Sequence, residues 1–574
     1  MKINLINENF QSFYGKNLLK SRGIEDLENF LYPTEKNLED WKKLNNIEKG
    51  IELLDSKIKD DAHFILLMDS DCDGFCSATI FYQFIKSINK NIKITLLLHE
   101  GKQHGLEDKW KEILDFEESI DLIITPDAGI NDYEFHEKLK EIAPILVLDH
   151  HILNENQQIS DNAVLIDNQI SPEYLNKDAC GAAITWQFCR GFAQTKGKGS
   201  YKNLIDLVGI ATIGDMMDVR QLENRYYIVK GLESINNPFI RALLEKQSFL
   251  IGEKINPTSI AFYIVPLINA MIRVGTTEEK ERMAQAFING NELIESHKRG
   301  ANGTMEKIAV ESARECANAK SKQDRITIGA LERIEQKIFK YDLLENTILF
   351  IRLDDEDKFP SEVNGLIANK LANQYKRPTI IARLNDGIDK GSIRAPQNSP
   401  LPSFRDFLLG SGYIDMCAGH DNSAGIALKD SNLHSLHSYA NEKLAQYNFS
   451  ESCYNVNFER RATDKDLCDI IYDLDTYKDV WGQKCAEPLI YVHDINLQRS
   501  DIQLIGKDKK TLKFSKNGIT YIKFHAGDMI EELKQYGEIK INVVGRANLN
   551  EWNSIYTPQI QIENYEIKDN KYGF

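Results

Sequence analysis

A chain of 574 residues, 42% hydrophobic and 27% charged, has the length for about three to five domains, each with its own core. Its formal charge of −16 excludes a protein that coats DNA indiscriminately, yet leaves room for positive charge confined to a groove. The longest apolar run, Ile260 to Ile272, is broken by Pro266 and Asn269 and falls short of the ~18 residues of a membrane span.

The start, M-K-I-N-L-I-N-E-N-F, lacks the apolar stretch of a signal peptide, so the expectation is a cytoplasmic protein without membrane association. Nine scattered cysteines without a C-x-x-C pair read as reduced thiols, not as a disulfide framework or a zinc site. Residues 1–58 form a helical lead-in with a turn at Arg22-Gly23.

From 59 to 240 apolar strands alternate with helical patterns, the signature of a doubly wound parallel sheet. The strand candidates are Phe64–Met68, Ile92–Leu98, Leu122–Thr125, Ile145–Leu148 and Val164–Ile166. Ligands bind beyond the carboxyl ends of such strands, so the polar residues there carry the chemistry. The first strand runs into Asp69, Asp71 and Asp73, and Gly74 then breaks the chain. Another ends in T-P-D-A-G with Asp127, and a third in L-D-H-H with Asp149, His150 and His151. A further apolar run, G-I-A-T-I-G, precedes Asp215 and Asp218 and reads as a fourth strand end on the same edge.

Carboxylates packed this closely repel one another and call for a cation. D-x-D-x-D-G also opens an EF-hand loop, but the bidentate Glu required at its twelfth position is Ile80, and a strand precedes it instead of a helix. Each acid alone reads as a helix cap, Asp218 among them as a cap or surface residue. Together they offer at least six oxygen or imidazole ligands, a set suited to Mn²⁺ or Mg²⁺. A metal pair is the arrangement used for phosphodiester cleavage.

Residues 241–340 read as a helical connector in which Asn269 and Arg273, four apart, share one helical face. The K-G-K-G-S stretch around Gly197 lacks phosphate-loop spacing. A second α/β unit spans 341–450, and short alternating strands fill 451–574.

The motifs D-S-D-C-D-G, P-D-A-G, L-D-H-H and T-I-G-D resemble the signatures of the DHH phosphoesterase superfamily. The lead-in Leu18–Pro33, C-G-A-A-I-T-W (Cys180–Trp186), E-N-R (Glu223–Arg225) and P-L-I-N-A-M-I-R (Pro266–Arg273) resemble its RecJ branch of single-strand-specific exonucleases. This resemblance implies two Mn²⁺ (or Mg²⁺) ions, one on Asp69, Asp71 and Asp127 and the other on Asp73, Asp127, His150 and Asp215. It implies His151 on the scissile phosphate, Asp149 orienting the neighbouring imidazole, and Asn269 and Arg273 at the cleft. G-S-I-R and A-G-H-D-N-S-A-G resemble the DHH-associated substrate-binding domain, which implies nucleotide contacts from Gly391, Ser392, Arg394, Gly419 and His420. V-V-G-R-A-N-L-N-E-W-N resembles the single-strand-binding OB-fold barrel of these enzymes, with Lys509, Lys510, Lys513, Lys516, Tyr521, Phe524, Arg546 and Trp552 as candidate contacts. Departures are Leu267 for an arginine, F-P-S-E for W-H-x-G and A-G-H for G-G-H.

The implied activity is 5′→3′ hydrolysis of single-stranded DNA in repair and recombination. The implied protein is a monomer that meets a single-stranded-DNA-binding protein or a helicase. The alternatives are a DHH phosphodiesterase acting on short RNA or cyclic dinucleotides, and an inactive DHH scaffold that binds single strands.

Overall fold

The computed structural model describes residues 1–6, 10, 12–101, 103–252, 255–298, 300–301, 303–354, 356–552 and 555–572. They form two compact units. The first holds Asp26–Asp324 with Val480–Cys485, and the second holds Met1–Glu25, Arg325–Asp479 and Ala486–Phe574. The lead-in 1–58 is therefore shared between the two.

In the first unit five strands lie in one parallel sheet: β1 (His63–Met68), β2 (Lys93–Leu98), β3 (Leu122–Pro126), β4 (Ile145–Asp149) and β5 (Ala163–Asp167). Their spatial order is β2-β1-β3-β4-β5, with all neighbours parallel. Every residue of β1 is buried, as a strand covered on both faces must be. On one face Ile65, Leu67, Ile123, Ile145, Val147 and Leu165 build an apolar core. The chain turns left or right of β1 to reach β2 or β3, and this change of direction opens a crevice at the carboxyl edge.

Helices α1 (Cys72–Ile88), α2 (Gly181–Lys196) and α3 (Ile205–Gly214) pack behind the sheet. Asp215, expected after a strand, follows helix α3 instead. The apolar run before it carries Gly209, where a Cβ would lie 2.7 Å from the Tyr227 carbonyl, so close helix packing and not a sheet uses its small residues. Asp218, expected as a cap or surface residue, is buried and ion-paired with Arg220 at 2.8 Å.

Helix α4 (Val265–Val274) is extended at its start by a π-helical turn, Ile260–Ile264. The run Pro257–Val274 matches a membrane span by length and composition, but 61% of it is buried inside the protein.

In the second unit a five-stranded sheet combines β6 (Leu349–Leu353), β7 (Thr379–Asn385), β8 (Ile388–Arg394), β9 (Met416–His420) and β10 (Ser423–Lys429) in the order β9-β10-β8-β7-β6. Only β6 and β7 are parallel. A seven-stranded mixed sheet follows. Its strands are β11 (Phe458–Arg461), β12 (Leu489–Gln498), β13 (Gln503–Ile505), β14 (Thr511–Lys516), β15 (Ile519–Lys523), β16 (Tyr536–Trp552) and β17 (Ile555–Tyr572). The first strand of the chain, Lys2–Leu5, pairs in parallel with Cys453–Val456 in this same unit.

Candidate metal centre

The end of β1 delivers three acids at once. Asp69 is buried at the strand terminus, Asp71 caps helix α1 by accepting the Gly74 N–H at 3.0 Å, and Asp73 sits in the first turn of α1. A Cβ on Gly74 would fall 2.7 Å from the Asp69 carbonyl oxygen, so the tight turn that groups the acids demands glycine. Asp73 accepts N–H groups of Gly181 at 2.7 Å and Ala182 at 2.8 Å, which open helix α2, and the Ser77 hydroxyl at 3.2 Å. The positive end of α2 thus faces a carboxylate.

Asp127 follows β3 in a left-handed conformation, φ 65°, uncommon for a residue with a side chain and typical of functional turns. Its N–H is tied to the Leu148 carbonyl at 2.8 Å, and a Cβ on Gly181 would collide with its Oδ1. The C-G-A-A stretch is therefore explained twice: its glycine clears room for Asp127 while its amides hold Asp73.

At the end of β4, Asp149 is buried and accepts Ile130 N–H at 2.9 Å on one oxygen. Its other oxygen takes the His150 N–H at 2.7 Å and His151 Nδ1 at 2.8 Å. Burial disfavours a charged His151, but the Asp149 bond and charge outweigh it and push its pKa up to about 10. Asp149 itself is held well below the usual carboxylate range: burial opposes ionisation, and the bond and charge of His151 overcome it. The His150 ring turns the other way. Its Nε2 lies 3.2 Å from Asp127, 3.6 Å from Asp215 and 3.9 Å from Asp73.

Ligand atoms of Asp69, Asp71 and Asp127 lie within 4.8 Å of one another, as do those of Asp73, His150 and Asp215, and those of Asp127, His150 and His151. All six residues expected to hold metal converge here, with Asp127 and His150 joining the two groups. Burial and the neighbouring Asp73, Asp71, Asp69 and Asp215 drive the Asp127 carboxyl well up, and burial with Asp69 and Asp73 raises Asp71. Burial and the adjacent His151 lower His150, which favours the neutral imidazole a metal requires. Among the described residues no donor hydrogen-bonds Asp127 Oδ1. The Cys180 thiol nearby is pushed far up by burial and by Asp73, so the donors are oxygen and imidazole nitrogen. This set fits a hard divalent cation.

Two histidines beyond β2 that sequence reasoning missed join the cluster. His104 Nδ1 lies 2.5 Å from one Asp69 oxygen, and His99 Nε2 lies 3.5 Å from the other. His99 Nδ1 lies 2.8 Å from Asp108, and despite burial these two carboxylates push its pKa up to about 9. The stretch H-E-G-K-Q-H spaces its histidines as H-x4-H, a spacing also found in metal sites, but only the fold shows that both meet Asp69. A cavity of about 230 Å³ opens beside His151, lined by His104, Gly105, Gly129, Asn131 and Asp132 among others.

Asn269 and Arg273 share helix α4, partly exposed, with Leu267 buried on the same helix. Burial lowers the Arg273 pKa, and the Asp71 charge opposes that shift, so the guanidinium is within electrostatic reach of the acidic cluster.

In the second unit the five expected substrate-binding residues lie on β8 and β9, the two strands that flank β10. Arg394 at the end of β8 and His420 at the end of β9 both pair in register with Ser423 of β10. Ser392 pairs with Gly425, and a Cβ on Gly391 would strike the Ile381 carbonyl. Gly419 has φ 132°, and its carbonyl accepts Arg405 Nη1 at 2.7 Å. The Arg394 guanidinium lies over Gly365, where a Cβ would come within 2.5 Å of Nη2.

The C-terminal sheet corrects one expected strand contact and gives two others acidic partners. Tyr521 is buried, stacked on Phe514 at 4.9 Å, and belongs to the core. Arg546 pairs with Glu563 at 2.6 Å and Glu487 at 3.2 Å, while Lys516 pairs with Asp501 at 2.6 Å. Phe524 is half exposed and Lys509 and Lys510 are exposed. The Trp552 side chain lies outside the described residues.

A parallel sheet whose carboxyl edge gathers D-x-D-x-D, Asp127 and D-H-H defines a DHH-type phosphoesterase domain. The family model described as the DHH family, N-terminal domain, matches residues 63–212, and that of the RecJ OB domain matches 465–564. The chain is 35% identical over 578 residues to YorK, an SPbeta prophage-derived protein of Bacillus subtilis (strain 168) named for a supposed single-strand DNA-specific exonuclease activity. That match covers 99% of this chain and 98% of YorK. It is 23% identical over 580 residues to the single-stranded-DNA-specific exonuclease RecJ of the same bacterium, covering 96% of this chain and 68% of that one. The structure of RecJ with Mn²⁺ from Thermus thermophilus shares the fold, with a TM-score of 0.73 at 17% identity over all of this chain and 80% of that one. The chain belongs to the RecJ family of single-strand-DNA-specific exonucleases.

Proposed function

We propose that the protein is a divalent-cation-dependent exonuclease that removes nucleotides from the 5′ end of single-stranded DNA, with a role in repair or recombination. The observation that carries this reading is the convergence of Asp69, Asp71 and Asp127 with Asp73, His150 and Asp215 in two joined groups. The names of the similar proteins, single-strand-DNA-specific exonucleases, support the substrate class. Asp69, Asp71 and Asp127 would hold one ion, and Asp73, Asp127, His150 and Asp215 a second, either Mn²⁺ or Mg²⁺. Such a pair lowers the pKa of water and stabilises charge building on phosphate oxygens.

The protein's own groups do the rest. His151, fixed by Asp149, donates a hydrogen bond to the scissile phosphate. Asp149 thereby sets the direction in which the imidazole points. Arg273 offers a planar donor fork to a phosphate oxygen, and Asn269 adds a neutral donor on the same helical face. Arg394, Ser392 and His420 receive the terminal nucleotide's phosphate, where backbone approach is eased by Gly391 and Gly419. The OB domain favours a long polymer over a dinucleotide, because its sheet adds binding surface that a short substrate does not need.

A time course on single strands labelled at the 5′ or the 3′ end, with and without Mn²⁺, tests the reading. Early release of the 5′ label as mononucleotide, only with metal, is expected. Early loss of the 3′ label would overturn the polarity, and inertness toward both would overturn the nuclease assignment.

A further inference from the structure

Helix α4 and the turn before it carry an exposed stripe, which widens at the turn where Ala261 and Tyr263 are also partly exposed. Phe262, Pro266, Asn269 and Arg273 recur at every third or fourth residue, the spacing that puts side chains on one helical face. Between them Ile264, Val265, Leu267, Ile268, Ala270, Met271 and Ile272 are buried. The buried side sits against the metal centre: a Cβ on Gly214, the residue before Asp215, would be 3.4 Å from Val265 and 3.4 Å from the Cys72 thiol. One end of the stripe reaches the acidic cluster, since Arg273 senses the charge of Asp71. At the other end the Phe262 ring is 66% exposed.

Exposure of one aromatic ring says little by itself, because folded proteins leave many apolar side chains in water. Alignment with Asn269 and Arg273 is what singles out Phe262. The ring also stands on the π-helical turn Ile260–Ile264, where Val265 N–H reaches back to the Ile260 carbonyl. Pro266 has no N–H to donate to the Phe262 carbonyl, so a regular α-turn is not available there. Such widened turns concentrate at functional sites.

We propose that Phe262 is a base-stacking platform that grips the single strand upstream or downstream of the cut, an inference that rests on the exonuclease reading above. Phe262 precedes Arg273 by eleven residues, which along a helix is about 16 Å. At about 3.4 Å per stacked nucleotide, and more when the strand is stretched, the ring meets a base about three to five nucleotides from the scissile phosphate. A strand whose phosphate sits between Arg273 and the acids has the stripe as its continuation. Every base has a π face, so this grip is independent of sequence.

The test uses the full-length protein and a 12-nucleotide single strand. Scanning 2-aminopurine along a phosphorothioate-protected strand reads stacking as quenching at each position. Quenching should peak three to five nucleotides from the scissile linkage, disappear in Phe262→Ala and persist in Phe262→Trp. In cleavage of the unprotected 12-mer, Phe262→Ala should raise KM about ten-fold and Phe262→Trp should restore it. If the wild-type protein cleaves the strand and Phe262→Ala leaves both the quenching profile and KM unchanged, the platform is overturned while the nuclease reading stands. If the wild-type protein neither binds nor cleaves the strand, the nuclease reading falls and takes the platform with it.

Discussion

His150 Nε2 lies 3.2 Å from Asp127 Oδ1, yet that oxygen accepts a hydrogen bond neither from it nor from any other donor among the described residues. A buried carboxylate oxygen and an imidazole nitrogen this close, without a bond between them, are disposed to share a third atom. Asp127→Ala should therefore reduce kcat by about a thousand-fold or more, with single-strand affinity largely kept. Mn²⁺ at about 100 times its Kd should stabilise the wild-type fold by about 2.7 kcal/mol, and Asp127→Ala should lose most of that gain in melting temperature. Full nuclease activity in the variant would show that Asp127 holds no ion the reaction needs.

His104 grips the same cluster from outside. Its Nδ1 lies 2.5 Å from Asp69, so His104→Ala frees a carboxylate whose direction matters. The Mn²⁺ concentration giving half-maximal rate should rise about 10- to 100-fold, with a smaller change in the rate at saturating metal. An unchanged metal titration would show that Asp69 is fixed by its other partners.

Arg394 should act on end chemistry and not on bond cleavage. Arg394→Ala should cut the preference for a 5′-phosphorylated over a 5′-hydroxyl strand by about ten-fold or more, the worth of a charge-assisted hydrogen bond. Competition between the two substrates in one reaction measures it, and an unaltered ratio would move the phosphate contact elsewhere.

His136 governs an acid sensitivity of the fold itself. It is buried on the short helix Tyr133–Lys138, its Nε2 has no hydrogen-bond partner among the described residues, and burial pulls its pKa down to about 4. An unfolded histidine titrates near 6.5, so below that pH the unfolded chain binds the extra proton. The stability contribution is intact above about 6.5 and falls away as pH drops toward 4. His136→Leu should be more stable than wild type at pH 5 by about 2 kcal/mol relative to their difference at pH 8. Parallel denaturant curves at the two pH values check this, and a pH-independent difference would contradict it.

The sheet was legible because its strands are short apolar runs ending in acids, and all five candidates fall within two residues of the observed strands. Asp215 shows the limit of that signal. An apolar run flanked by glycine reads as a strand, but Gly209 makes it a tightly packed helix, a fact that lives in Tyr227 and not in the run. The acids of the centre were legible from mutual repulsion and the resemblance that orders them. His99 and His104 were not, because their partner Asp69 is some thirty residues away and the loop between carries no periodicity. In the C-terminal sheet Tyr521 illustrates the same limit: aromatic alternation marks a strand, while the side that faces the core depends on a neighbour such as Phe514.

Asp73 receives its two amide hydrogens from Gly181 and Ala182, more than a hundred positions further along the chain. A ribosome must deliver α2 before the first acidic turn has its anchor, and must go on through Asp215 before the last ligand exists. A fragment that ends before Asp215 therefore carries the first acids without the scaffold that groups them into a site.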